Sequence, residues 1–224
     1  MPTMFDGFQD VRVPGDGAEV AAWVGGSGPP LLLLHGYPQT RAIWHKVAAR
    51  LSQRYTVVAA DLRGYGDSGK PRSAPDHAPY SKRAMARDPV ALMRSLGHER
   101  FFLAGHDRGA RVAHRMAMDH PGRVARLAVL DIAPTLAMYE QTTEAFARAY
   151  WHWFFLILPE PQPEQMIGAD PMAYLRFKMG QGRAGLVPFT PGAMHEYERC
   201  FTADAVHAMC EDYRAAAGID LEHD

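Results

Sequence analysis

The chain has 224 residues, with 24 basic and 25 acidic side chains and a net charge of −1 when histidine is neutral. That balance leaves no basic surplus for coating nucleic acid and no acidic surplus of the kind that marks a disordered tail. Apolar residues make up 47% of the chain, and a chain this long buries roughly 70% of the surface its unfolded form exposes, so a sizeable core needs no staples. The longest strongly apolar stretch, Trp153 to Leu158, is far too short to cross a bilayer.

In chain order, Val11–Val13 and Glu19–Val24 are β-type runs joined by Pro14-Gly15-Asp16-Gly17, which predicts a hairpin. Pro29 to Leu34 is a continuous apolar run, as a strand buried on both faces of a parallel sheet requires. Trp44 to Leu51 has helical spacing, and Tyr55 to Ala60 reads as a second buried strand. Tyr80 to Leu96 reads as a helix ending at Gly97. Within it Pro89 either kinks the helix or opens a new one capped by Asp88. Phe101 to Ala104 is a third buried strand, Arg108 to about Asp119 a helix, and Leu127 to Leu130 a fourth buried strand. Strands alternating with helices predict an α/β fold with a mostly parallel sheet flanked by helices.

The rhythm changes after Pro134. Residues 135–215 carry helical patterns rich in Trp, Tyr, Phe and Met, broken by prolines, with no convincing buried strand. They are read as an inserted helical cap over the carboxyl ends of the strands, on a core formed by residues 1–134. The alternative is an unrelated helical domain. Residues 216–224 are read as the start of a return to the core.

The sharpest feature is Gly105-His106-Asp107-Arg108-Gly109, directly after a buried strand and opening a helix. It has the layout of a nucleophile elbow with Asp where esterases have Ser. The flanking glycines would be steric necessities of a strained turn. An Asp, ionised at pH 7, displaces a leaving group from saturated carbon and forms an ester, which water must then hydrolyse with the help of an oxyanion hole and a base. The plainer reading of Asp107 is a helix cap. Its surroundings favour the elbow. The loop His35-Gly36-Tyr37-Pro38 follows the first long buried strand, where such hydrolases take one oxyanion-hole N–H, here that of Tyr37; the other would come from Arg108. Asp131, ending the next strand, stands where a carboxylate orients a base. Arg108 and Arg111, three apart on one helix face, fit the bidentate grip of a substrate carboxylate. Two anions 4 Å apart repel by roughly 1 kcal/mol in water and about 4 kcal/mol at an effective dielectric of 20, so a dry site needs such cations.

On these residues the chain resembles the haloacetate (fluoroacetate) dehalogenases of the α/β-hydrolase superfamily over essentially its whole length. The resemblance is carried by His35 to Thr40, Asp61-Leu62-Arg63-Gly64-Tyr65-Gly66, Gly105 to Arg111, Asp131 to Thr135, Tyr150 to Phe154 and Cys210-Glu211-Asp212-Tyr213-Arg214. It implies that Asp107 attacks the halogen-bearing carbon, that Arg108 and Arg111 hold the substrate carboxylate, and that Asp131 orients the base. It also implies that His152, Trp153 and Tyr213 cradle the departing halide; read from sequence alone, these three would be cap packing. The expected reaction converts short 2-haloacids such as fluoroacetate or chloroacetate to glycolate and halide, with no cofactor and no metal. An epoxide hydrolase, or another hydrolase with an Asp nucleophile, is the alternative.

The chain departs from the family in having Gly180-Gln181-Gly182 where relatives show a Trp, and in Pro89. Family members also continue into two more core strands and a catalytic His, whereas this sequence ends at Leu221-Glu222-His223-Asp224. It is therefore read as a shortened hydrolase missing its C-terminal strands, and a form that binds substrate or is alkylated once without turnover is a third reading. Two cysteines, Cys200 and Cys210, cannot build a disulfide framework, and the opening residues lack a secretory signal pattern. The expected setting is cytoplasmic, the expected partner a small haloacid with neither nucleic acid nor membrane, and a homodimer is left open.

Overall fold

The computed structural model describes residues 4–223. Its six-stranded sheet runs in the order β1-β2-β4-β3-β5-β6, from β1 (Gln9–Pro14), β2 (Glu19–Gly25), β3 (Pro30–Leu34), β4 (Thr56–Ala60), β5 (Phe101–His106) and β6 (Val124–Leu130). The first two strands form the expected hairpin, and β2 also pairs antiparallel with β4. The β4-β3-β5-β6 half is parallel.

The period-2 rule divides the central strands between two faces. Leu32 and Leu34 join Val58, Ala60 and Leu103 on one side, while Leu33 joins Val57 and Ala59 on the other. Helix α1 (His45–Leu51) contributes Ala48 to the second face. On the first lie α2 (Lys82–Ser95) and α3 (Arg108–Asp119). Each leucine fully buried in β3 stabilises the fold by about 1.5–3 kcal/mol through area removed from water.

Two expectations are corrected. Residues 127–130 are strand, as read, but not buried: Leu127, Val129 and Leu130 are 39%, 45% and 45% exposed. Among the described residues β6 pairs with β5 alone, and an apolar run does not reveal whether a strand has one neighbour or two. Asp88 caps no new helix, because Pro89 lies inside an unbroken α2 whose N-cap is Ser81. The Asp88 carboxylate instead binds Arg63 Nε at 2.7 Å and the Gly17 N–H at 2.8 Å.

After β6 every described element is helical: α4 (Thr135–Glu140), α5 (Glu144–Ala149), α6 (Trp151–Phe155), α7 (Gln162–Ala169), α8 (Pro171–Met179), α9 (Pro191–Cys200), α10 (Ala203–Ala216) and α11 (Ile219–His223). Short polar side chains start several of them: Thr143, Asp170, Thr190 and Thr202 each accept a backbone N–H at the first turn. Their apolar faces join the sheet's cluster, so Leu34, Trp153, Leu175 and Tyr213 belong to one continuous core. The strand ends carrying Tyr37 and Asp107 face this helical layer. No described helix is long and apolar enough to cross a membrane.

Candidate active site

Asp107 sits between β5 and α3 with φ 50° and ψ −117°, a conformation a non-glycine residue holds only under strain. Glycines make the turn feasible. A Cβ at Gly105 would lie 2.5 Å from the Gly109 carbonyl oxygen, and one at Gly109 would lie 2.2 Å from that of His35. The Asp107 side chain makes no helix-capping bond, so the plainer reading of this residue fails. Its Oδ1 accepts the Tyr37 N–H at 2.8 Å. Gly36 allows that approach, since a Cβ there would lie 2.5 Å from Asp107 Cβ. The Tyr37 N–H is thus a backbone donor to the carboxylate, and Arg108, which opens α3, follows Asp107 directly in the chain.

The loop bearing Tyr37 is fixed from below by His35. Its Nε2 accepts the Leu62 N–H at 3.1 Å, so Nδ1 donates to the Gly36 carbonyl at 3.0 Å. Burial pulls His35 down to about 4, which keeps the ring neutral at pH 7. Beside it Asp61 accepts the N–H groups of Arg41 at 2.7 Å and Asp67 at 2.9 Å, and burial pushes its carboxyl up to about 6.

The two arginines differ. Arg108 is fully buried and bound to Asp212 of α10, through Nε to Oδ2 at 2.9 Å and Nη2 to Oδ1 at 2.6 Å, while its Cζ lies 4.1 Å over the Tyr213 ring. Arg111 binds only neutral acceptors through Nη1, the Ala133 carbonyl at 2.9 Å and Thr135 Oγ1 at 3.0 Å, and lies 4.7 Å over the Trp153 ring. Sequence reading assigns both arginines to a substrate, yet Arg108 has one nitrogen, Nη1, left without a partner. Arg111 Nε is likewise buried and unpartnered.

The aromatic residues meet around the same point. Tyr37 stacks on His152 at 5.7 Å and meets Tyr213 edge-on at 5.2 Å, and Tyr213 meets His152 and Trp153 at 5.8 and 6.3 Å. The Tyr213 hydroxyl and His152 Nδ1 are buried with no partner. Burial, with the Asp107 charge behind it, holds the Tyr213 hydroxyl well above its usual range, so it stays a donor. Burial and Lys178 draw His152 down to about 3, leaving a neutral ring with one N–H. His152, Trp153, Tyr213, Tyr37, Arg108 and Arg111 are therefore gathered near Asp107.

Asp131 is not. Its side chain is 79% exposed, and its one ion-pair contact among the described residues is His106 Nε2 at 3.9 Å. Residues that sequence reading missed include Asp212, Lys82 and Tyr65, which surround Arg108, and Tyr174, whose hydroxyl bonds that of Tyr37 at 2.7 Å. Asp212 lies in the stretch Cys210 to Arg214, but only its neighbour Tyr213 carried a recognisable signal.

Residues 29–183 match the family model described as the α/β hydrolase fold. The chain belongs to the α/β-hydrolase family. Within it the chain is similar to the fluoroacetate dehalogenase of Burkholderia sp, at 53% identity over 99% of this chain and 73% of that protein's length. It is 44% identical to a soluble epoxide hydrolase of Corynebacterium sp. (strain C12), over 50% of this chain and 37% of that one. Among solved structures, ALR0039 from Nostoc sp PCC 7120, provisionally classed as an α/β hydrolase, superposes with a TM-score of 0.93 at 56% identity, covering 97% of this chain and 75% of the other.

Proposed function

We propose that this hydrolase acts on short 2-haloacids, such as fluoroacetate or chloroacetate, releasing halide and glycolate through an ester on Asp107. One observation carries the reading: unpartnered buried groups, Arg108 Nη1, Arg111 Nε, the Tyr213 hydroxyl and a His152 ring nitrogen, belong to the cluster of side chains packed on Tyr37, whose N–H binds a strained aspartate. Buried donors without acceptors are costly, and a small anion with a second charge developing on it satisfies them.

With Oδ1 held by the Tyr37 N–H, Oδ2 is the attacking atom. A C–O bond forms as the carbon–halogen bond breaks, and the halide departs with the bonding electrons. Arg111 and the free edge of Arg108 hold the substrate carboxylate and offset its repulsion from Asp107. Tyr213 O–H, the His152 ring N–H and the Trp153 indole N–H receive the halide. Completing the cycle takes a water whose proton passes to a base, a group that none of the residues gathered at Asp107 supplies. The water oxygen attacks the ester carbonyl, whose oxygen is the former Oδ1, and the acyl C–O bond to the substrate breaks to release glycolate. The N–H groups of Tyr37 and Arg108 stabilise the charge that develops. Asp131 would orient the base for that water. Residues 135–215 serve as the cap over a core of residues 1–134. Cys200 and Cys210, both free and buried, fit a reducing cytoplasm.

The test is halide release from chloroacetate together with intact-mass measurement. Free halide with unmodified protein supports the full cycle, whereas a stable adduct on Asp107 supports the first half-reaction alone. Folded protein giving neither halide nor adduct would sink the proposal. Asp107→Asn should lower both signals by at least about 10⁴-fold, as removal of a nucleophile does.

Epoxide opening by the same aspartate is the second reading. The buried hydroxyls of Tyr213 and Tyr139, both unpartnered, favour it. An epoxide needs no arginine, so Arg111→Leu leaves turnover of an uncharged epoxide intact and weakens that of an acid.

A further inference from the structure

The proposed chemistry makes no use of a buried polar cluster behind Arg108. Asp212 accepts four donors: Arg108 Nε and Nη2, the Tyr65 hydroxyl at 2.7 Å and the Lys82 ammonium. That fills the roughly four lone-pair positions of a carboxylate. Burial alone would raise its carboxyl, but Arg108 and Lys82 outweigh it and hold the group well below the usual range. Lys82 is fixed in turn by Asp220, which accepts its backbone N–H at 2.7 Å and lies 3.3 Å from its ammonium. With Tyr213 against its face, the guanidinium of Arg108 is held on one edge and one side. Arg111, three residues on, has only neutral acceptors among its described hydrogen-bond partners.

We propose that Asp212 is a positioning residue, which with Lys82 and Tyr65 clamps and neutralises Arg108 so that Nη1 alone meets the substrate carboxylate, leaving Arg111, with no carboxylate among its described hydrogen-bond partners, as the charge that selects an acid. The inference rests on the haloacid reading above. It divides labour between two arginines that sequence alone treats as a pair. Arg108 sets the angle at which the halogen-bearing carbon meets Asp107, and Arg111 supplies attraction. A guanidinium bonded on two nitrogens is pre-organised, which is what an in-line displacement needs.

The experiment measures saturation kinetics of Asp107 alkylation or halide release with chloroacetate. Asp212→Asn should lower the limiting rate about 10–100-fold while KM moves less than about threefold; Arg111→Gln should do the reverse. The double variant Asp212→Asn with Lys82→Met keeps the summed buried charge unchanged, although Asp220 loses its ammonium, so a role in charge balance alone predicts recovery of the rate. Positioning predicts none, because the asparagine offers Arg108 one side-chain oxygen where the carboxylate offers two, and only the residue 212 carbonyl, 2.8 Å from Nη2, is retained. Recovery in the double variant, or a rate in Asp212→Asn equal to that of the unaltered chain, overturns the inference. Arginine side-chain NMR of the unaltered chain decides the matter even where variants unfold. Separate Nη signals for Arg108, one of which shifts with acetate, are expected; averaged signals from a freely turning guanidinium refute the clamp. An unaltered chain that neither releases halide nor forms an adduct rejects the haloacid reading, and the NMR result on the clamp still stands.

Discussion

Asp107 and Asp131 begin alike and end differently. Both follow parallel strands, and both hold a positive φ, 50° and 60° respectively. Around Asp107 a loop backbone closes to hydrogen-bond distance, two arginines lie within one helical turn, and three aromatic residues cover the top. Around Asp131 the side chain stands mostly in solvent beside His106. Strain at a strand end therefore does not by itself enclose a side chain. The difference lies in what is brought close and left unbonded.

Gly36 is the place to break that difference with the largest effect. Its replacement by alanine puts a methyl group 2.5 Å from Asp107 Cβ, so the Tyr37 N–H must withdraw from Oδ1. Loss of one oxyanion donor costs about 10²–10³ in rate, and Gly36→Ala should lose at least that much ester hydrolysis while unfolding as a single transition. Hydrolysis of a pre-formed Asp107 ester, followed by mass, reads the step directly. Survival of the rate would mean that the loop is not part of the site.

Arg111→Leu probes the enclosed aspartate from the substrate's side. It removes the cation that has only neutral groups among its described hydrogen-bond partners and should raise KM for chloroacetate about 10–100-fold, with a smaller change in kcat. A KM unchanged within twofold would assign the carboxylate to some other group.

These two sites also show what sequence makes legible. The Gly-x-Asp-x-Gly spacing carries the elbow because its constraints are local: each glycine is required by backbone atoms a few residues away or on the adjoining strand. The hairpin and the four strands of the parallel half are legible for a similar reason, through turn residues and apolar runs. The clamp on Arg108 is not legible, since Asp212 lies 104 residues away and an arginine beside an anionic nucleophile reads as a substrate ligand. Nor is the exposure of β6, because a run such as Leu127-Ala128-Val129-Leu130 has the same composition at a sheet's edge as at its centre.

The enclosed site should also be visible in stability. His35 and His152 are drawn down to about 4 and about 3 in the folded chain, chiefly by burial, against an ordinary value of 6.5. Between those values and 6.5 the unfolded chain binds more protons, so their contribution is complete above pH 6.5 and is lost as pH falls toward 4. Asp61, raised to about 6 by burial, acts in the opposite sense between its ordinary value of 3.8 and 6, where the folded chain holds the extra proton. Two histidines against one carboxyl leave a net loss of roughly 2 kcal/mol or more on acidification from pH 6.5 to 4.5, since a tenfold difference in proton affinity between the folded and unfolded chain is worth about 1.4 kcal/mol. Urea unfolding at the two pH values measures it, and equal midpoints would show that these rings are not held neutral.

The smallest effect is expected at Asp131. Asp131→Asn removes a charge that is mostly solvated and 3.9 Å from His106 Nε2, a separation at which solvent weakens any interaction. Formation of the Asp107 adduct should therefore keep its rate within about twofold, because neither Oδ2 nor the donors facing the halide depend on residue 131. Breakdown of the adduct is a separate quantity, and the proposed role for Asp131 concerns that step alone. A variant slowed in adduct formation would tie Asp131 to the first displacement. It would also mean that a strand-end carboxylate acts on Asp107 without enclosure, which would undo the distinction between the two aspartates.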